Sequence, residues 1–379
     1  MPPPGPRRVL VAPDSFKGTA TAAEVAAAIR DGWLAARPAD RVTLAPMADG
    51  GEGTLDAFAA AVPGARRVPV EVDGPDGRRV PAAWVLLPDG TGVVELAACS
   101  GLPLMGRPAP FAAHTLGLGQ AVAAALDAGV DRLLLGIGGS ASTDGGTGLL
   151  TALGARFLDA AGRPVPLGAA GLAALDRVDL AALRPPPPGG ATVLSDVDAP
   201  LLGPRGPAAV FGPQKGAGPD DVPALEAGLR RLAALAGGDP GEPGAGAAGG
   251  TGFGLRLWGA ALSPGAAAVA AALDLARLVA GADVVVTGEG RYDDQTAGGK
   301  VPAHVLALAR AAGVPVLLVA GSVAAPATPF ADAVALVDVA GGAEPALADP
   351  VRWLRVAAGL LARRLPDAAA GQAGTAPSR

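Results

Sequence analysis

The sequence predicts an α/β protein in which helices cover a parallel sheet and a second domain is inserted into the first. Short aliphatic runs alternate with alanine-rich amphipathic stretches along most of the chain, which is the pattern of such sheets. Residues 66–97 break this alternation, because Asp-Gly turns separate strand-like runs with no helix between them. That segment indicates antiparallel hairpins, and therefore an inserted domain with a mixed sheet.

The apolar runs and the helix caps assign the main elements in chain order. Thr21 and Glu24 have the spacing of a capping box, and Ser263 and Asp349 each precede a proline that could open a helix. Amphipathic helices are predicted between the strands. The predicted strands lie in RVLVAP, RVTLAP, RLLLGIGG, ATVLSDV, ADVVVTG, VPVLLVAG and AVALVDV.

A chain of 379 residues, of which 50% are hydrophobic, is long enough for about two domains. Two segments rich in proline and glycine, 184–190 and 237–250, could be linkers, and the second could instead be a ligand loop. The predicted limits are 7–69 plus 282–366 for the parallel-sheet domain, 70–281 for the insert, and 1–6 and 367–379 for two disordered tails.

Composition argues against several classes of partner. A net charge of −5 and an aromatic content of 3% do not suit a nucleic-acid-binding surface. The single cysteine, Cys99, cannot form an internal disulfide, and the apolar runs are too short to span a bilayer. No secretory leader pattern opens the chain. We therefore expect a cytoplasmic protein, monomeric or homodimeric, that binds neither nucleic acid nor membrane.

Acidic and hydroxyl side chains beside glycine follow five of the predicted strands. Because open α/β sheets bind ligands beyond the carboxyl ends of their strands, these loops are the candidate site. Aspartate and glycine are also the ordinary residues of turns and caps, so each loop taken singly has a structural interpretation. The five loops read PDSFKG, PMADGGEGT, GIGGSASTDGG, SDVDAPL and TGEGRYDDQT.

Phosphoryl transfer is the chemistry that this combination favours. Carboxylates hold Mg²⁺, glycine-rich backbone N–H groups cradle phosphates, and lysines neutralise the transferred group. The chain has only three lysines, Lys17, Lys215 and Lys300, and each adjoins a glycine. Its two histidines, His114 and His304, lie in predicted helices, so a histidine triad or zinc site is poorly supported. The Gly-Lys pairs do not match the P-loop, which indicates a different kinase architecture.

Asp196 and Asp198 of the SDVD segment are the favoured metal ligands. Hard oxygen ligands suit Mg²⁺, and alternate residues of an extended segment face the same side. Asp49 or Glu52 is a further candidate ligand. Asp196 could equally be the catalytic base, and Asp198 could simply cap the turn that follows it.

Two other functions remain open from the residues alone. GIGGSA has the form G-x-G-x-x-A after a strand, and Asp159 follows at about the distance of a ribose-binding acid, as in a dinucleotide-dependent dehydrogenase. However, Gly145, Gly146 and Gly148 would then fall inside the required helix. The same loops could also belong to a protein that binds a small anion without catalysis.

In order along residues 9–365, the motifs resemble those of the bacterial glycerate kinases of the type-1 family. The resembling motifs are APDSFKG, PMADGGEGT, GIGGSASTDGG, SDVDAPL, GPQKGAG, GAGAAGGTGFG and GADVVVTGEGRYDDQTAGGKVP. The resemblance implies phosphorylation of D-glycerate by ATP and Mg²⁺, generally at the 2-hydroxyl. It also implies a flavodoxin-like domain carrying an inserted α/β domain similar to restriction endonucleases.

The loops and the resemblance together give a set of candidate residues, and we expect the two domains to close over the ligands. Thr143 and Ala199 stand where the family pattern has asparagine. The candidates are Asp196, Lys17 and Arg291 for catalysis; Asp14, Ser15, Lys17, Asp49, Gly50, Gly51, Glu52, Arg291 and Asp294 for substrate; Gly138, Gly139, Ser140, Asp144, Gly145, Lys215 and Glu289 for nucleotide; and Asp196 and Asp198 for metal.

Overall fold

The protein is described by a computed structural model over residues 6–293 and 300–366. Packing divides the chain into two compact units. Unit 1 comprises Met1–Pro46, Leu275–Gly298 and Val305–Arg379, and unit 2 comprises Met47–Asp274 and Gly299–His304. Within the described ranges, none of the helices combines the length and the hydropathy that crossing a membrane requires.

Strands and helices alternate through most of the described chain. The strands are β1 Arg8–Val11, β2 Arg41–Leu44, β3 Arg66–Asp73, β4 Arg79–Leu86, β5 Thr91–Glu95, β6 Arg132–Gly136, β7 Arg156–Leu158, β8 Arg177–Asp179, β9 Ala191–Leu194, β10 Ala261–Ser263, β11 Val284–Tyr292, β12 Val316–Val323 and β13 Asp332–Ala335.

The helices are α1 Ala22–Ala36, α2 Thr54–Ala61, α3 Leu96–Ser100, α4 Leu116–Asp127, α5 Thr147–Ala152, α6 Ala169–Leu172, α7 Pro207–Val210, α8 Asp221–Ala236, α9 Ala247–Leu257, α10 Gly265–Ala272, α11 Leu275–Ala280, α12 Val301–Ala312, α13 Leu336–Ala340, α14 Ala343–Ala348 and α15 Pro350–Arg364. Short 3₁₀ helices lie at Leu102–Leu104 and Pro213–Lys215.

Unit 1 is built on a five-stranded parallel sheet in the order β2-β1-β11-β12-β13. Numbered by their sequence within the unit, the strands lie in the order 2-1-3-4-5, which is the flavodoxin-like arrangement. Val9 and Val11 of β1 and Val284 and Val286 of β11 are buried in its core. The predicted parallel-sheet fold is confirmed.

Unit 2 is built on a six-stranded mixed sheet in the order β10-β9-β6-β5-β4-β3. β10, β9, β6 and β5 run parallel, whereas β5–β4 and β4–β3 are antiparallel. The predicted hairpins are confirmed, with their turns at residues 74–78 and 87–90. β7 and β8 form a separate antiparallel pair. The segments 184–190 and 237–250, considered as linkers, both lie inside unit 2.

The compact units and the predicted domain limits differ at residues 47–69. This segment contains α2, whose Leu55 and Phe58 are buried, and α2 packs against β5 and β4. It therefore belongs to unit 2, although it precedes the hairpins that marked the predicted insert. The domain limits themselves stay a prediction, and the predicted tails lie outside the described residues apart from Pro6.

Two predicted caps are confirmed and one is wrong. Thr21 and Glu24 form a complete capping box, and the Asp349 side chain accepts a hydrogen bond from the Arg352 backbone N–H. Ser263 does not cap α10, because it is the last residue of β10 and Pro264 takes the cap position.

The run AVALVDV is only partly a strand. β13 ends at Ala335, and Leu336–Ala340 forms a helix. A short apolar run has no clear period, so the sequence alone cannot distinguish a strand from a buried helical turn. The prediction of a strand through Val339 is wrong.

The contact between α1 and α15 in unit 1 depends on one glycine. A methyl group on Gly32 would lie 2.1 Å from the Arg355 backbone oxygen, so the two helices can pack at this distance only if residue 32 has no side chain. We expect Gly32→Ala to lower the free energy of unfolding by about 1–3 kcal/mol in urea titrations. Gly281→Ala is the matched control in the same unit, since its methyl group would make only ordinary contacts of 3.5 Å or more. Equal stability of the two variants would contradict this packing.

Candidate active site

The loop after β1 runs along the end of β11 in unit 1. The Asp14 backbone N–H donates to the Gly288 carbonyl at 2.8 Å, and the Asp14 carboxylate accepts the Ser15 backbone N–H at 2.7 Å. Phe16 anchors the loop, with 2% of its surface exposed, and Lys17 follows as an exposed residue. This arrangement places the Lys17 cation at the carboxyl edge of the sheet.

The end of β11 lies beside this loop. Thr287 Oγ1 donates to the Ala12 carbonyl at 2.8 Å, and a methyl group on Gly290 would lie 3.5 Å from Phe16 Cα. Glu289 is buried, whereas Arg291 is exposed and lies 3.4 Å from the Asp293 carboxylate. Asp294, a predicted substrate residue, lies outside the described residues.

β1 and β11 flank the point where the order of the sheet reverses. In open parallel sheets, ligands bind in the crevice at this switch point, beyond the carboxyl ends of the strands. Lys17, after β1, and Arg291, at the end of β11, are both exposed cations. The Ser15 hydroxyl is buried nearby and has no hydrogen-bond partner among the described residues. This edge of unit 1 can therefore bind a small anion that also accepts a hydrogen bond.

Four parallel strands of unit 2 also end at one edge, where the segment from Met47 to Gly53 meets the other loops. The Gly138 backbone N–H donates to the Gly50 carbonyl at 3.0 Å, and the Asp49 carboxylate accepts the Gly51 N–H at 3.0 Å. The Thr54 hydroxyl donates to the Gly51 carbonyl at 2.7 Å. We call residues 49–53 the acidic loop.

Asp196 and the acidic loop meet at Gly265, the first residue of α10. The Gly265 N–H donates to Asp196 Oδ1 at 2.8 Å, and a methyl group on Gly265 would lie only 2.0 Å from the Asp49 carbonyl oxygen. Asp196 and Asp198 are both exposed. The structure therefore brings Asp49 and Asp196, predicted from separate motifs, to one edge of unit 2.

The fit to a magnesium ion depends on these exposed carboxylates. Within residues 6–293 and 300–366, no group of three or more acidic, histidine or cysteine side chains is arranged as a complete metal cage. Mg²⁺ in phosphoryl-transfer sites is typically held by one or two carboxylates and completed by phosphate oxygens and water. Asp196 and Asp198, exposed and two residues apart in an extended segment, suit such a partial ligand set.

The glycine-rich loop after β6 has an accessible start and a buried continuation. Gly138 is half-buried and Gly139 is exposed. From Ser140 onward the loop is buried, and the amine of the buried Lys215 donates to Ser140 Oγ at 2.8 Å and to the Ser142 carbonyl at 2.5 Å. Burial lowers the pKa of the Lys215 amine to about 7, against a smaller opposite effect of Asp144.

The Asp144 carboxylate is fully buried and connects the starts of two helices. It accepts hydrogen bonds from the backbone N–H and the hydroxyl of Thr115, at 2.9 and 2.8 Å, and from the backbone N–H groups of Gly146 and Gly148. Gly145 next to it donates its N–H to the Gly249 carbonyl in the left-handed turn that opens α9. These contacts favour a structural role for Asp144.

The dehydrogenase alternative requires a helix that begins directly after GIGGSA. In the structure α5 begins only at Thr147, and residues 137–146 form an extended loop. The first helical turn that would hold a dinucleotide pyrophosphate is therefore missing from this position. Asp159 lies in a turn where its carboxylate accepts N–H bonds from Ala161 and Arg163.

Comparisons with known proteins show the family of this chain. The model of the Glycerate kinase family matches residues 9–365. The chain belongs to the glycerate kinase family. It is 42% identical to the glycerate kinase of Bacillus subtilis (strain 168), over 83% of this chain and 85% of that protein. It is 40% identical to the glycerate 2-kinase of Escherichia coli (strain K12), with the same coverage.

A solved structure extends the likeness to the fold. A crystal structure assigned to glycerate kinase 2 of Salmonella typhimurium LT2 superposes with a TM-score of 0.79 and 38% identity, covering 95% of this chain and 98% of that one. With the family match, these relatives identify this chain as an enzyme that phosphorylates glycerate. The recognition of the family from its motifs is confirmed.

The candidate residues of this family member fall into two groups, one in each unit. Unit 1 holds Asp14, Ser15, Lys17, Glu289 and Arg291, and unit 2 holds the others that are described. The acidic loop was predicted in the parallel-sheet domain and lies in unit 2. Glu289, predicted to bind nucleotide, lies with the predicted substrate residues of unit 1. The individual residue roles stay predictions.

The two positions at which the family pattern has asparagine and this chain does not lie in the protein interior. Thr143 is fully buried, and Ala199 is 8% exposed. Neither side chain lies on the surface of its loop, so neither is positioned like the exposed Asp196 and Asp198. Both positions are therefore internal to unit 2.

Glu95 is a candidate that the sequence analysis missed. It ends β5, it is 5% exposed, and burial raises the pKa of its carboxyl to about 7. An acidic residue at the exit of a parallel strand was the signal used for the other loops. Glu95 went unnoticed because its strand had been assigned to an antiparallel hairpin.

The buried Lys215 gives this enzyme a predicted pH dependence of stability. Its pKa falls from about 10.5 in the unfolded chain to about 7 in the folded one, so the unfolded state binds more protons between these values. This residue therefore makes the free energy of unfolding rise with pH from about 7 to about 10.5. Lys215→Met should flatten that rise in urea titrations at several pH values.

Lys17→Met is the matched control, because it makes the same replacement at an exposed lysine. Parallel curves for wild type and Lys215→Met would show that the buried amine stays charged in the folded protein.

Proposed function

We propose that this enzyme transfers the γ-phosphoryl group of ATP to the 2-hydroxyl of D-glycerate with Mg²⁺, giving 2-phosphoglycerate. The observation that carries the proposal is the pair of exposed cations, Lys17 and Arg291, at the switch point of a flavodoxin-like sheet in a member of the glycerate kinase family. The relative from E. coli is named a glycerate 2-kinase, which supports the choice of hydroxyl.

Unit 1 holds the carboxylate of glycerate in this proposal. An arginine side chain binds a carboxylate through two parallel N–H bonds, and a lysine adds a compact charge. Arg291 and Lys17 supply these groups, and the Ser15 hydroxyl can donate a further hydrogen bond. Such an arrangement fixes which carbon of a three-carbon acid is presented for reaction. The positions of the reacting atoms strongly control the reaction rate.

Asp196 is the proposed acceptor of the hydroxyl proton. Its Oδ1 is held by the Gly265 backbone N–H, so the carboxylate is oriented before substrate arrives. It is exposed, so a bound substrate can reach its carboxylate. An oriented carboxylate that takes the proton as the oxygen attacks typically contributes about 10²–10⁴-fold to the rate.

Asp198 is the proposed ligand of Mg²⁺, together with phosphate oxygens of the nucleotide, and the acidic loop is proposed to bind glycerate. When bound, Mg²⁺ neutralises the negative charge of the phosphates. Gly139 is the exposed residue of the glycine-rich loop and can bring its backbone N–H to a phosphate, whereas the Gly138 N–H donates to the Gly50 carbonyl. Lys215 and Asp144 hold the buried part of that loop in place.

The reaction and its regiochemistry can be tested in one assay. Purified protein with D-glycerate, ATP and Mg²⁺ is coupled to enolase and pyruvate kinase without phosphoglycerate mutase. We expect signal without the mutase, because enolase accepts only the 2-phosphate isomer. Signal that appears only after the mutase is added means the 3-isomer, and no release of ADP with glycerate would refute the proposed function.

We expect Lys17→Ala to lower kcat/KM for glycerate by about 10- to 100-fold, the cost of losing a charge-assisted contact. Because Lys17 is exposed, the melting temperature should stay near that of wild type. The control is Arg41→Ala, which removes an exposed cation at the amino end of β2. A Lys17→Ala variant with full activity would exclude Lys17 from the site.

Two amide substitutions separate the proposed base from the proposed metal ligand. Asp196→Asn should lower kcat by about 10²-fold or more with little change in the Mg²⁺ concentration for half-maximal rate. Asp198→Asn should instead raise that Mg²⁺ concentration. Asp239→Asn is the control, since Asp239 only accepts the Gly241 N–H in an exposed turn of the same unit. Unchanged kinetics in both site variants would overturn the assignment.

A further inference from the structure

The Glu95 carboxylate holds the junction between the acidic loop and α2. Its Oε2 accepts the Leu55 backbone N–H at 2.9 Å, and its Oε1 accepts the Gly53 N–H at 3.3 Å. Both donors are at the start of α2, where backbone N–H groups have no partner within the helix. A side chain from the end of β5 therefore satisfies two donors of a segment that begins more than 40 residues earlier.

Other hydrogen bonds of the acidic loop come from its own residues and from two neighbours. The Asp49 carboxylate accepts the Gly51 N–H within the loop, the Thr54 hydroxyl donates to the Gly51 carbonyl, and the Gly138 N–H donates to the Gly50 carbonyl. Glu95 is the long-range side-chain partner among these hydrogen bonds. Its loss would leave the carboxyl end of the loop held by local contacts alone.

Two bonds to one carboxylate need both of its oxygens as acceptors. A neutral carboxyl or a glutamine amide has one good acceptor oxygen, and the second position carries hydrogen. Either group can therefore keep one of the two backbone donors and must release the other. This makes glutamine a close mimic of the protonated acid in shape and in hydrogen bonding.

We propose that Glu95 is a positioning residue of this kinase, which keeps the acidic loop in its glycerate-binding conformation by accepting the Gly53 and Leu55 N–H groups. The inference rests on the proposed function, in which the acidic loop serves glycerate binding. If the loop is competent only while it is held, the apparent affinity falls in proportion to the competent fraction. The effect should appear in KM for glycerate and leave KM for ATP unchanged.

The surroundings of Glu95 explain why this contact responds to pH. The pKa of its carboxyl is raised to about 7, chiefly by burial; the two backbone hydrogen bonds oppose this rise, and the negative charges of Asp56 on α2 and Glu52 in the acidic loop add to it. Burial raises the pKa of the Cys99 thiol on α3, and the nearby Glu95 charge raises it further. That thiol, with a pKa of about 12, carries no charge near neutral pH.

The experiment compares wild type with Glu95→Gln in the coupled assay. At pH 8 we expect KM for glycerate to rise about tenfold in the variant, corresponding to a competent fraction of about one tenth, while KM for ATP stays within twofold. Below pH 6 the two proteins should converge, because protonated Glu95 and glutamine offer the same acceptor. Hydrogen exchange at Gly53 and Leu55 should be faster in the variant at pH 8, with no substrate present.

Asp73→Asn is the matched control. Asp73 ends β3 of the same unit and accepts a hydrogen bond from Gln120, away from the acidic loop. It should change neither KM nor exchange at Gly53 and Leu55. The inference is overturned if Glu95→Gln keeps wild-type KM for glycerate, if both KM values rise together, or if the difference persists unchanged at low pH. Absence of glycerate phosphorylation in wild type would instead refute the proposed function, and the exchange measurement would still test the contact.

Discussion

Backbone segments at the carboxyl edge of the mixed sheet lie so close together that only glycine fits between them. A methyl group on Gly138 would lie 2.5 Å from Gly51 Cα, and one on Gly50 would lie 2.2 Å from the Leu194 oxygen. Because these glycines have no side chain, loops from separate strands can pack against one another at this edge of the sheet. Asp49 and Asp196 therefore both lie at this edge. The candidate site of unit 2 depends on that closeness.

Two ionisable side chains inside unit 2 show how this arrangement is held. The Lys215 amine and the Glu95 carboxylate are both buried. The amine donates hydrogen bonds to the glycine-rich loop, and the carboxylate accepts hydrogen bonds at the junction of the acidic loop and α2. Burial brings the pKa of each to about 7, from opposite directions. A buried charge is costly unless it is hydrogen-bonded, and here the hydrogen bonds that offset the cost also fix the loops.

The sequence predicted elements well where local physics decides them. The capping box at Thr21 and the Asp-Gly hairpin turns were correct, because a cap or turn depends on residues within a few positions of one another. It failed for Leu336–Ala340, an apolar run with no clear period, and for Ser263, which strand pairing with β9 removes from the cap position. Glu95 was missed for a similar reason, since the parallel pairing of β5 with β6 joins residues far apart in the chain.

By itself the sequence determined the α/β class, the two kinds of sheet, the family motifs and the loops that carry the candidate side chains. It could do so because hydrophobic period and turn chemistry are local, and because the motifs are contiguous. Only the tertiary structure decided that the acidic loop packs with unit 2, that Lys215 and Asp144 are internal, and that Glu95 joins the group. Burial and long-range hydrogen bonds arise from the folded arrangement of the strands, and no short stretch of sequence encodes them.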